Sequence, residues 1–245
     1  MIYKKPTALS LQRHMDRAWL PAKDLLFASG RQIIPVHLGE IFQAASCLPI
    51  AILKDAPVVL TSLARGKNHY ITQAGKCRDN FIPAILKCYP FARLKSQSAQ
   101  PVLCVDEGGE HVVDSGTPGS QPFFTKSSEL TQKVKAIMNM LEQLHRDRQI
   151  CIKACTQLKE SGMLVPFSYS LGRKKEQTLK GLYKVDRKAL DKDRLDSHAL
   201  DLAYAQLISM HQIQRLHKLT QTGLKQEKEM EKAWEEGDFE LDFGE

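Results

Sequence analysis

The sequence has no apolar run approaching the roughly 18 residues that a bilayer-spanning helix requires; stretches such as 48–53 and 81–86 are among its longest. A helical membrane span is therefore not expected. Lys4 and Lys5 are followed by PTALSLQRH, which offers neither an apolar segment of about 7–15 residues nor a small-residue cleavage site, so export on a secretory leader is not expected either. Aromatic residues make up only 7% of the chain. Beside the densest basic region (Lys174, Lys175, Lys184, Arg187, Lys188, Lys192, Arg194) stand just two rings suited to base stacking, Tyr169 and Tyr183, and a solvated face is expected there in place of a nucleic-acid surface. The six cysteines are even in number, but most sit inside apolar or helical runs. They are expected as free thiols of a reducing compartment, which gives a cytoplasmic address. No internal repeat and no assembled catalytic or cofactor motif is found.

With 245 residues, 42% hydrophobic and 26% charged, the chain has the composition of a globular protein with room for one large core or two small ones. Its net charge of +7 hides a split: residues 227–245 hold 9 acidic and 2 basic side chains, leaving 33 basic against 19 acidic in the body. A basic body and an acidic tail can satisfy one another.

Residues 1–16 are polar with scattered leucines and are expected as a flexible lead-in. Short apolar pieces follow, broken by Gly30 and prolines. A short helix over 38–46 leads to strands at 49–53 and 58–63, and the latter is expected to fold back on His69-Tyr70-Ile71-Thr72 as a hairpin. The central block is NFIPAILKCYPF, residues 80–91, expected as a helix over 80–89 that Pro90 stops. It returns the chain to paired strands around 91–94 and 102–105. From Thr125 the period changes. Leu130, Val134, Ile137, Leu141, Leu144, Arg148, Cys151, Cys155 and Leu158 recur at alternating spacings of four and three, the seam of a long amphipathic helix in which Arg148 is the one charged member. Thr125, Ser127 or Ser128 would cap its start and Gly162 would follow its end. A second hairpin over 164–171 and 178–185 has a basic tip at 172–175. A helix from about Asp196, apolar on nearly every side through Met210, is expected to be buried between layers. The fold class is thus α+β: a mixed sheet from the N-terminal half, a long amphipathic helix, a second hairpin and a buried C-terminal helix.

At FIPAILKCYPF, VLCVDE and AYAQLISMHQIQRL the sequence resembles the SapC family of bacterial proteins, over about residues 17–216. Matching positions include Ile34-Pro35-Val36, Leu48-Pro49-Ile50, Phe81, Pro83, Tyr89-Pro90-Phe91, Leu103-Cys104-Val105-Asp106, Gly181, Ala203-Tyr204, Ser209 and Leu216. The resemblance implies a single domain over 17–217, β-rich through 124 and helix-rich after 125, followed by a helical extension and acidic-aromatic tail over 218–245. The family's name is linked to bacterial surface layers, and such proteins are often encoded near outer-membrane receptors. The resemblance carries no catalytic residue set. A peptide-transporter permease of the same name is a different protein, excluded by the missing membrane span.

Several clusters could carry function. Asp106, Glu107, Glu110, His111 and Asp114 place four carboxylates and an imidazole at a strand end and its loop, where a ligand, a divalent cation or acid–base chemistry would find oxygen donors; a solvated turn is the plain alternative. Tyr89 and Phe91 could line a pocket, since Pro90 turns both rings out of the helix; packing is the alternative. Cys151 and Cys155 lie one helical turn apart on the apolar seam, which favours packing over metal binding. Trp234, Phe239 and Phe243 in the acidic tail read as a partner-binding linear motif. The resulting expectation is a binding or accessory protein, without cofactor or metal, that has an unidentified protein partner and takes a small ligand at Tyr89, Phe91, Asp106, Glu107 and His111. The alternative is an enzyme with a metal or acid–base site around Asp106, Glu107, His111 and Asp114.

Overall fold

The computed structural model describes residues 2–95, 100–169 and 177–235. In chain order its elements are β1 (Pro6–Ala8), α1 (Leu11–His14), β2 (Arg17–Trp19), β3 (Ile33–Pro35), α2 (Ile41–Cys47), β4 (Ile50–Leu53), β5 (Ala56–Leu60), α3 (Ala84–Lys87), β6 (Phe91–Lys95), β7 (Pro101–Asp106), β8 (Val112–Asp114), β9 (Gln121–Pro122), α4 (Gln132–Glu160), β10 (Leu164–Tyr169), β11 (Gln177–Val185), α5 (Ser197–Ser209) and α6 (Ile213–Glu235), with short 3-10 turns between some of them. The class is α+β. The strands form three sheets, β1-β7-β6, β10-β11-β4-β5-β3 and β8-β2-β9, in place of one mixed sheet, and every described pair is antiparallel. The second hairpin is continuous with the first half, because Leu182 and Tyr183 pair with Leu53 and Ile52.

Two cores result. The larger gathers the five-stranded sheet, α2, α5, the start of α6 and Ala154, Cys155 and Leu158 of α4. The smaller gathers Trp19, Cys88, Phe91, Val105 and Phe123 around Val134, Leu141 and Leu144 of the same helix. At 29 residues α4 is about 43 Å long, longer than either core, and it joins them. Its seam has the predicted period, and Gly162 (φ 71°) takes the left-handed position after its end. The start differs from expectation. Thr125 and Ser127 bond one another in a turn closed by the Phe124–Leu130 bridge, so the helix begins after Thr131.

Other elements depart from the sequence pattern for local reasons. The expected helix over 80–89 is a single turn, with Pro83 at its entry and a cis Tyr89–Pro90 peptide after it. The hairpin is β4–β5, joined at Lys54-Asp55; residues 69–72 form no strand. Buried Asn68 accepts the Tyr70 and Ile71 amides (3.1 and 3.2 Å) and so bends the chain where it would otherwise extend. Within the segment expected as a flexible lead-in, Pro6, Thr7 and Ala8 pair with Asp106, Val105 and Cys104.

Asp196 caps α5 by accepting the Ala199 amide (2.8 Å). The inner face of α5 is buried at Leu202, Ala203 and Ala205, but Tyr204 and Ile208 are 45% and 54% exposed, so one side faces out. Its two buried polar groups complete the sheet. Gln206 accepts the Val185 amide and donates to the Ile50 carbonyl (both 3.1 Å), while Ser209 accepts the Ile50 amide (2.9 Å).

Candidate functional site

The end of β7 meets the N-terminal segment, and what surrounds that meeting is the candidate site. Asp106 is fully buried and accepts four hydrogen bonds: from the Lys5 amide (2.6 Å), the Lys4 amide (2.9 Å), the Gly108 amide (3.2 Å) and the Tyr89 hydroxyl (3.3 Å). Its acceptor capacity is spent on fixing the chain's start to the sheet. Glu107 takes the two-pronged Arg13 guanidinium (2.5 and 2.6 Å), with His14 Nε2 at 3.3 Å. That pairing holds its carboxyl down at about 2.

Asp106 is closed off from solvent, while Glu107 lines a recess of about 320 Å³ with Lys5, Arg13, Arg17 and Val112. Asp114 pairs with Arg17 on the neighbouring strand (2.9 Å). Among the described residues no group of three or more His, Cys, Asp or Glu has the geometry to hold a metal ion. Phe91 is also core: it packs edge-on against Trp19 (centroids 4.9 Å) and Phe123 (5.9 Å).

Tyr89 and His111 both line one cleft. Their rings meet edge to face at 5.0 Å, and Phe27 stacks flat on Tyr89 at 3.9 Å. Burial, then the neighbouring Asp106 charge, pushes the Tyr89 phenol up to about 12, so it stays protonated as a hydrogen-bonding group. His111 Nδ1 lies 3.1 Å from the Leu20 carbonyl, a geometry in which Nδ1–H donates and Nε2 is left as an acceptor. Gly109 is required here, because a Cβ would sit 2.8 Å from the Tyr89 hydroxyl oxygen.

The cleft has a volume of about 600 Å³ and is walled by Lys4, Lys23, Asp24 and Glu110 around Phe27, Tyr89 and His111. A second cleft of about 460 Å³ shares Lys23 and Asp24 and runs on toward Cys77 and Asp79. Lys4, Lys23 and Phe27 were not foreseen. Lys23 and Phe27 come from a segment whose main sequence signal was its interruption by Gly30 and prolines, and Lys4 from the polar lead-in.

The remaining predicted groups fall elsewhere. Cys151 and Cys155 are buried in the α4 seam, and desolvation pushes their thiols up to about 11 and about 12, which makes them packing residues. All six cysteines are free thiols. Trp234 stands in the last turn of α6, while Phe239, Phe243 and the basic tip at 172–175 lie outside the described residues. Among the described residues no helix is long and apolar enough to cross a membrane.

A family model described as SapC matches residues 9–216. No curated protein and no solved structure matches the chain.

Proposed function

The chain belongs to the SapC family, and from that premise we propose that it is a non-enzymatic binding or accessory protein that seats a segment of a protein partner in the cleft beside Tyr89 and His111. The observation that carries this reading is the lining of the cleft. Two lysines and two carboxylates line it together with the rings of Phe27, Tyr89 and His111, and the imidazole Nε2 is left to accept. Such a surface suits an extended peptide, which presents amides, carbonyls and side chains of both signs. A neighbouring cleft lined by the same Lys23 and Asp24 offers further surface to such a segment. The carboxylates that would serve acid–base chemistry are engaged in holding the N-terminal segment. The setting we propose is the cytoplasm, in connection with the surface-layer or outer-membrane uptake systems that the family resemblance implies.

The test is affinity capture of the full chain from its own cells, repeated with Lys23→Glu and His111→Ala. Both positions lie at the wall of the cleft, outside the two cores. A protein retained by the wild type and lost with either variant, each verified as folded by circular dichroism, supports the proposal. Retention unchanged by both variants contradicts it.

A further inference from the structure

Arg148 breaks the apolar seam of α4 between Leu144 and Cys151, and the structure explains its place. The helix passes from one core to the other there: Leu144 belongs to the smaller, Ala154 to the larger, and Arg148 is exposed on the stretch between them. It lines a groove of about 170 Å³ together with Arg93 of β6, and the apolar lining includes Pro35, Leu94, Leu141 and Leu144. We propose that this groove is a binding site for a small amphiphilic carboxylate, with Arg93 and Arg148 taking the anionic head and the leucines taking the apolar body.

Charge complementarity carries the proposal. Desolvation, then the charges of Arg93, Lys95 and Arg148, holds the His145 imidazole below the usual histidine range. Among the described residues none of the three cations has an acidic partner within 4.0 Å, as the ion pairs lie elsewhere. The acids nearby are mostly committed: Asp147 accepts from Gln143 (2.8 Å), and Glu40 accepts from the Ala84 amide (2.8 Å) beside His37. Glu142 lines an adjoining recess of about 70 Å³ that shares Arg93 and Leu141 with the groove. Like charges set over an apolar floor repel one another until an anion arrives. The guanidinium fork matches a carboxylate, and the floor adds the burial of a short chain.

Binding an anion raises the His145 pKa, so by linkage affinity rises as pH falls through its titration. The groups facing that imidazole are Arg93 and Lys95 from β6 and Arg148 from its own helix, with Tyr3 and His37 on the far walls. The site is distinct from the cleft beside Tyr89, so the two proposals stand or fall separately.

Isothermal titration of the full chain with octanoate tests it, against octanamide and inorganic phosphate. We expect octanoate to bind, octanamide and phosphate to bind at least tenfold more weakly, Arg93→Gln and Arg148→Gln each to weaken octanoate about tenfold, and Arg148→Lys to keep part of the affinity. The gain in affinity between pH 8 and pH 6 should vanish in His145→Ala. Octanamide binding as tightly as octanoate, phosphate doing so, or unchanged affinity in the folded double glutamine variant would each overturn the proposal. So would a synthetic peptide of residues 236–245 that displaces octanoate at lower concentration, which would assign the groove to the chain's own acidic tail.

Discussion

Asp106 and Glu107 show how adjacent acids divide their work. The first takes backbone amides and the second takes a guanidinium; together they tie residues 4–14 to the end of β7. Glu107 has a folded pKa depressed from 4.5 to about 2. Its contribution to stability is therefore fully present above about pH 4.5 and is lost as pH falls toward 2. The expected outcome is that Glu107→Gln loses less stability than the wild type on acidification from pH 5 to pH 2, measured by urea unfolding; parallel losses would refute the role. The sequence marked both acids as candidates but did not show their hold on the N-terminal segment, because their partners lie about a hundred residues away in a segment with no pattern of its own. Tyr89 and His111 were legible as candidates, since Pro90 and the Gly108-Gly109 loop adjoin them in the sequence. Phe27, Lys4 and Lys23 were not, for want of any local constraint.

Elements with a sustained period were legible: α4 by its seam, β6–β7 and β10–β11 by their apolar runs. Elements decided by one side chain were not. Asn68 bends the chain at 68–71, and Pro83 with Pro90 leaves α3 a single turn. The docking of α6 is a third such case. Ile213, Leu216, Thr220, Gly223 and Glu227 recur on one face of it, and Thr220 Oγ1 accepts the Leu63 amide (3.0 Å). A Cβ on Gly223 would overlap the buried His69 ring, which itself lies against Ser62 Oγ (2.8 Å) and cannot retreat without breaking that bond. Gly223→Ala should lift α6 from this point despite the better helix propensity of alanine, worth about 1 kcal/mol. Hydrogen exchange would show it as faster exchange over 220–235 with 41–60 unaffected; unchanged exchange over 220–235 would contradict the packing.

At the scale of the molecule, two cores share one helix. Val134, Leu141 and Leu144 serve the first, while Ala154, Cys155 and Leu158 serve the second, so neither can lose its packing without disturbing α4. Heating is expected to give coincident transitions by far-ultraviolet and near-ultraviolet circular dichroism; two separated transitions would show the cores to be independent. The family match ends at Leu216, close to where α6 leaves the larger core, and the N-terminal residues Ile2 and Lys4 that line the cleft lie ahead of the match's start at Leu9. The central claim is that this cleft seats a protein partner. Its most direct test is site-specific photocrosslinking in living cells, with a benzoylphenylalanine at position 26 on the cleft wall and a control at the exposed position 149 of α4. The account predicts a discrete adduct from position 26 that is absent from position 149 and abolished by Lys23→Glu; no adduct at position 26, or an equal one at both positions, would contradict it.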